Sequence, residues 1–382
     1  MLYFADKGHF MGKSPPRRIG KILLILSLAL VLLIFALFQF GNASSGQVGR
    51  FFTYRTLGNQ NHAEVFHFQG QAASAIANFD NGLALVGTSG LQVYNRAGEL
   101  VYFANATLAN PVLQVNGTRV LAYDLGGFDI LIGDRRELTH HLTAQGRIID
   151  ARLNANGWLT LSMEQIGTLG VIHVIDPNGD LRYRVEAGLG HGHIIAAGLA
   201  DNDRNLVSLS MPQQTTHVFM YDITQDGVQD SFYQNDTLFF DFWFTNRNGS
   251  VALLSDSNVT HLSQTANLQA SYFFEGRHLR GFDTDLGRGI LYLGQGQVGT
   301  RGEIILFETN GATQHLPVLG TLLDISLQGR FIATLFAEDV ILYRNMREYA
   351  QLDRLQNEHG ILARDDGSII TFSTSRAQIR LP

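Results

Sequence analysis

The chain has 382 residues, no cysteine, 40 glycines against seven prolines, and a formal charge of −6. Without cysteine there is no disulfide framework and no thiolate chemistry, so stability has to come from a large core. Lys7, Lys13, Arg17, Arg18 and Lys21 stand against Asp6 in the first 21 residues, a net of +4, which leaves −10 on the remainder. An acidic body argues against a nucleic-acid partner, because phosphate binding needs clustered Lys and Arg.

Residues 1–21 are therefore read as a basic cytoplasmic tail, and Met11 is an alternative start. Residues 22–40, ILLILSLALVLLIFALFQF, carry no charge and only Ser27 and Gln39 as polar interruptions. At about 1.5 Å per residue such a helix covers roughly the 30 Å hydrocarbon layer of a bilayer. The cations before it predict a cytoplasmic N-terminus and an extracytoplasmic body. The stretch is longer than the hydrophobic region of an ordinary secretory signal, so a retained signal-anchor is expected; Gly41 and Ala43 leave cleavage as the alternative. Residues 41–62 read as a small-residue linker with an aromatic piece, and residues 63–382 as the extracytoplasmic body.

From residue 63 onward, short alternating apolar runs are broken by Asn-Gly and Asp-Gly turns, the pattern of strands and hairpins. A turn recurs at positions 82, 117, 157, 204, 249, 288, 329 and 367, at spacings of 35 to 47 residues. In the clearest unit, PVLQVNG, TRVLAYDLGG, FDILIGD and RRELTHHLT give four strands in about forty residues, the content of a propeller blade. The last unit offers only three strands, and AEVFHFQ at residues 63–69 supplies the missing outer one. Borrowing it closes the ring and hides two sheet edges. The expected fold is all-β, an eight-bladed β-propeller of four-stranded antiparallel blades. Seven blades is the alternative, because the unit around Asp203-Arg204-Asn205 lacks its glycine turn.

The basic tail, the single span, the acidic cysteine-free body and blades such as GLALVGTSGLQVYNRAGELVYF resemble an uncharacterised domain-of-unknown-function family of membrane-anchored, WD40/quinoprotein-like propeller proteins from Gram-positive bacteria. That resemblance implies the fold and an envelope location, and no activity or catalytic residue. The specific WD40 motifs are missing: no strand ends in Trp-Asp, and no Gly-His pair repeats. With only Trp158 and Trp243, the tryptophan expected in each blade of a quinone-binding propeller is missing too.

Candidate chemistry is sparse. Asp150, Asp241 and Asp324 each follow an apolar or aromatic pair at the start of an innermost strand, in IIDARL, FFDFWF and LLDISL. Facing a central channel, three carboxylates would form a cation-binding or acid/base ring, since like charges in a confined site raise one another's pKa. The bland alternative is that each caps a turn by accepting backbone N–H bonds, with Arg152 and Arg280 as neutralising neighbours. Alternation puts Phe240, Phe242 and Phe244 on one face and Phe239 with Trp243 on the other, which suits packing between blades. His191 and His193 in a glycine loop, and the adjacent His140 and His141, lack the further ligands a metal needs. Asn42, Asn105, Asn116, Asn235, Asn248 and Asn258 begin sequons that turn chemistry explains equally well.

Two functional classes follow. The first and preferred is a non-catalytic, membrane-anchored scaffold that binds an envelope protein or cell-wall component. The second is an enzyme that processes envelope glycan or peptide with the channel carboxylates Asp150, Asp241 and Asp324. No nucleophile motif, metal signature or cofactor fingerprint supports the second, so no catalytic residue, metal or cofactor is assigned.

Overall fold

The computed structural model describes residues 62–68, 72–212, 215–235, 237–296 and 300–382. They form eight four-stranded antiparallel sheets, so the eight-bladed propeller is what the chain builds and the seven-bladed alternative falls. Tail, apolar stretch and linker, residues 1–61, lie outside the described residues. Among the described residues, no helix is long and apolar enough to cross a membrane.

In chain order the blades span residues 75–105, 111–143, 148–186, 193–233, 239–273, 278–319, 322–353 and 360–380. Within each, the strands follow one another from the channel outward. The fourth unit keeps its place because Asp203 takes the left-handed conformation (φ 57°) that glycine holds in most of the other turns. Blade 8 takes its outer strand from the other end of the described chain: Gly360–Ala363, Ile369–Phe372 and Arg376–Arg380 are completed by His62–His67, paired antiparallel to the last of them. Phe66 is fully buried and meets the Tyr94 ring of blade 1 edge-on.

Middle strands such as Gly82–Gly87, Leu159–Met163 and Val251–Ser255 are buried along their whole length. Outer strands such as Leu138–Thr143 alternate, with every second residue exposed. Covering by neighbouring blades on both faces demands continuous apolar runs, whereas one solvated face permits alternation. The core is accordingly divided among the interfaces between blades, as where Leu121, Ile130 and Ile148 meet Leu161 and Met163 between blades 2 and 3.

One irregularity recurs. In five consecutive blades, 3 to 7, the innermost strand carries a bulge near its start, between Ile148 and Asp150, Ile194 and Ala196, Phe239 and Asp241, Leu279 and Gly281, and Leu322 and Asp324. The extra residues are Ile149, Ile195, Phe240, Arg280 and Leu323. A bulge places two residues opposite one and resets which side chains share a face. This corrects the alternation expected for residues 239–244: Phe239, not Phe240, joins Phe242 and Phe244 against blade 4, Trp243 packs toward blade 6, and Phe240 is exposed.

Candidate functional site

The eight innermost strands surround a central cavity of about 1090 Å³, lined by residues that include Asp150, Arg152, Asp241, Phe242, Asp283 and Asp285. An innermost strand has a ladder partner on one edge only, so its other edge presents unpaired backbone groups that need partners. The polar side chains of the channel serve that need. Gln114 Oε1 accepts from Leu153 N at 2.8 Å, and Asp150 Oδ2 from Ala197 N at 3.2 Å. Asp283 Oδ2 accepts from Leu327 N at 2.7 Å, and Asp324 Oδ2 from Ile361 N at 2.8 Å. Each of these bonds joins one blade to the next. The backbone-capping expectation therefore describes the geometry, except that the carboxylates cap neighbouring strands and not turns.

Asp150, Asp241 and Asp324 occupy equivalent positions, directly after the bulge, in blades 3, 5 and 7. They do not meet as one group. Arg152 unites the first two: its Nε donates to Asp150 Oδ2 at 2.8 Å, its Nη2 to Asp241 Oδ1 at 2.7 Å, and its Nη1 to Phe242 O at 2.9 Å. Its guanidinium also lies over the Phe242 ring, 4.4 Å from the centroid. This link skips blade 4, where Gly198 leaves the space; a Cβ there would stand 3.2 Å from Phe242 and 3.4 Å from Arg152. Burial works against the charge of Arg152, but Asp150 and Asp241 together hold it more firmly protonated than usual. Burial also pushes Asp150 above the ordinary carboxylate range in spite of Arg152.

Asp324 belongs to a different neighbourhood. Its Oδ1 accepts from Ile325 N at 2.9 Å, so both oxygens hold backbone N–H groups. Burial pushes its pKa up to about 6. Asp283, in the neighbouring blade, is pushed up to about 6 by burial, with Asp324 adding to the rise. Burial raises Asp285 as well; its Oδ2 accepts from Gly329 N at 2.6 Å. Sequence reasoning missed Asp283 and Asp285. Their spacing of two on an inner strand was the available signal, hidden because the position after that bulge is Gly281. Arg280, expected as a neutralising neighbour, is itself the bulge residue and donates to Gly296 O at 3.4 Å.

The histidines lie elsewhere. His191 packs on Phe219 with ring centroids 4.8 Å apart, and His141 Nε2 meets Asp129 Oδ1 at 3.0 Å. Among the described residues no three metal-ligating side chains converge.

No curated protein matches the sequence. By structure the chain is similar to the C-terminal WD40 domain of Sif2, with 13% identity, 82% of this chain and 96% of that one covered, and a TM-score of 0.58. It is also similar to Sqt1 of Saccharomyces cerevisiae (9% identity, 84% and 99% covered, TM-score 0.57) and to BamB from Moraxella catarrhalis (12%, 84% and 99%, TM-score 0.53). At such identities the likeness shows the fold alone. The model of a family of unknown function, DUF5711, matches residues 53–316, well over half of the chain, and the chain belongs to that family.

Proposed function

We propose that this protein is a non-catalytic interaction scaffold, anchored in the cell membrane by residues 22–40, whose propeller faces the extracytoplasmic side and binds an envelope protein or cell-wall component. One observation carries the reading. The channel's polar groups are engaged in holding blades together, while large apolar side chains stand exposed on the end formed by the connections between blades. Phe128, Ile166, Leu189, Leu238, Leu319 and Leu323 are among them, at 42% to 102% exposure. Exposed apolar patches on a rigid scaffold mark interaction sites.

The test is photo-crosslinking in living cells with probes on loops at both ends of the propeller, followed by mass spectrometry of the membrane fraction. The body has no lysine after Lys21, so amine-reactive reagents would miss it. A reproducible set of envelope proteins supports the scaffold; none, from folded and exported protein, sinks it. The enzyme reading keeps one feature in its favour, the burial that pushes Asp283 and Asp324 up to about 6. As ligand-binding candidates, Asp150, Asp241 and Asp324 are tested by their joint replacement with Asn. Unchanged partner binding by a folded variant leaves them a structural role, and loss of a ligand moves the function into the channel.

A further inference from the structure

The bulges of blades 3 to 7 do one thing that the fold does not require. They place Ile149, Ile195, Phe240, Arg280 and Leu323 at the start of five adjacent inner strands, at the connection end. Phe240, Arg280 and Leu323 are exposed there, Ile149 is half-buried, and Ile195 packs against the core between blades 4 and 5. Four of the five are large and apolar. Phe240 and Leu323 are each 44% exposed, and Leu238, two residues before Phe240, is 50% exposed. Arg280 shows that a bulge accepts a polar residue at this place, so the strand itself does not demand the exposed Phe240 and Leu323.

The next residue inward is a carboxylate in blades 3, 5 and 7. Asp150 and Asp241 are neutralised by Arg152. Asp324 and Asp283, below Leu323 and Arg280, accept backbone N–H bonds, and no ion pair to either is present among the described residues. On the side of blades 5 to 7 the mouth is thus an apolar rim of Phe240 and Leu323, with Arg280 between them, over an anionic throat of Asp283 and Asp324.

We propose that this mouth seats an apolar segment of a partner protein that carries one lysine or arginine, its apolar side chains on the rim formed by Phe240 and Leu323 and its cation in the throat beside Asp324. The proposal rests on the scaffold reading and deepens it. Complementary charge decides among occupants. A second copy docked through the same face would set carboxylate throat against carboxylate throat, because a two-fold interface is self-complementary. A lipid surface, commonly anionic, attracts clustered Lys and Arg, and this body is acidic.

The purified full chain in detergent is titrated with fluorescent peptides of one Leu/Phe frame and a central Arg, norleucine or Glu. The Arg peptide is expected to bind about tenfold more tightly than the norleucine peptide, and the Glu peptide more weakly still. Phe240→Ser with Leu323→Ser weakens binding of every peptide, and Asp324→Asn or Asp283→Asn brings the Arg peptide toward the norleucine level, with thermal unfolding confirming that each variant folds. Equal affinity for the three peptides, or wild-type binding by the Ser variant, overturns the proposal. In cells, p-benzoylphenylalanine is placed at position 240 and, separately, at position 247 on the hairpin end. Protein adducts from 240 support the mouth. Adducts from 247 alone overturn it and leave the scaffold intact, adducts from neither overturn both, and a 240 adduct to lipid or to a second copy names the wrong occupant.

Discussion

The two ends of the propeller differ in emphasis. At the hairpin end, where each first strand turns into the second, polar side chains bind blade to blade. Asn154 and Asn156 of blade 3 donate to Asp203 of blade 4, Asn205 of blade 4 to Asn248 O of blade 5, and Arg364 of blade 8 to Asn81 O of blade 1. At the connection end, glycines and exposed leucines predominate, as in residues 187–192, AGLGHG, with Leu189 89% exposed. Polar bonds join blades at this end too, as where Arg147 Nη1 donates to Gly126 O and Thr216 Oγ1 to Phe239 O. The contrast therefore lies in the surface: the connection end carries Phe128, Leu189, Leu238, Phe240 and Leu323, apolar groups that a scaffold devoted only to stability would not display.

Breaking the channel should cost most. Arg152→Met leaves Asp150 and Asp241 buried without their shared cation, and a loss of about 3–5 kcal/mol is expected from denaturant unfolding. A loss below about 1 kcal/mol would mean that this link does not hold blades 3 and 5. At the hairpin end, Asp203→Ala removes the acceptor of Asn154 and Asn156 and puts a Cβ-bearing residue without a polar side chain at positive φ. The expected cost is about 1–2 kcal/mol, read as a lower unfolding midpoint at unchanged slope.

Acidity sharpens the role of the throat. Asp283 and Asp324 bind protons more tightly folded, near pH 6, than unfolded, near pH 4, so their burial weighs against stability above about pH 6 and this cost fades as the pH falls. From pH 7 to pH 5 the wild type should gain about 2–3 kcal/mol relative to the Asp283→Asn, Asp324→Asn double variant. Burial lowers the pKa of His173, His217 and His261, which opposes folding in the same window, but it acts equally in both proteins and cancels from the difference. Parallel pH curves for the two proteins would remove the throat from the account. The smallest effect is expected at the connection end: Phe240→Ser should change stability by no more than about 0.5 kcal/mol, in contrast to Phe242→Ala two residues on, at about 3–5 kcal/mol. Equal losses at 240 and 242 would erase the distinction between the two ends.

The blades were legible in the chain because hairpin turns are local. A first turn needs φ > 0, few residues tolerate it, and the glycines at 82, 117, 157, 249, 329 and 367 therefore fall in or beside the turns of their units. The strand that closes blade 8 was legible for a related reason: a three-stranded last unit leaves an edge, and AEVFHFQ had the right pattern, although the observed strand is His62–His67. The bulges were not legible. One extra residue leaves no mark in FFDFWF, yet it decides that Phe239 is buried and Phe240 exposed.

What the amino-acid order determined by itself is the repeat, the blade count, the closing strand and an acidic body without disulfides, together with the expectation of an anchor at residues 22–40. Only the tertiary structure decided that Arg152 joins carboxylates 91 residues apart in the chain, that Asp324 is grouped with Asp283 and not with them, and that Phe240 and Leu323 stand exposed at one end. Turn chemistry and strand alternation act between neighbours in sequence. Pairing and exposure depend on which blades the closed ring brings face to face, and no local pattern encodes that distance.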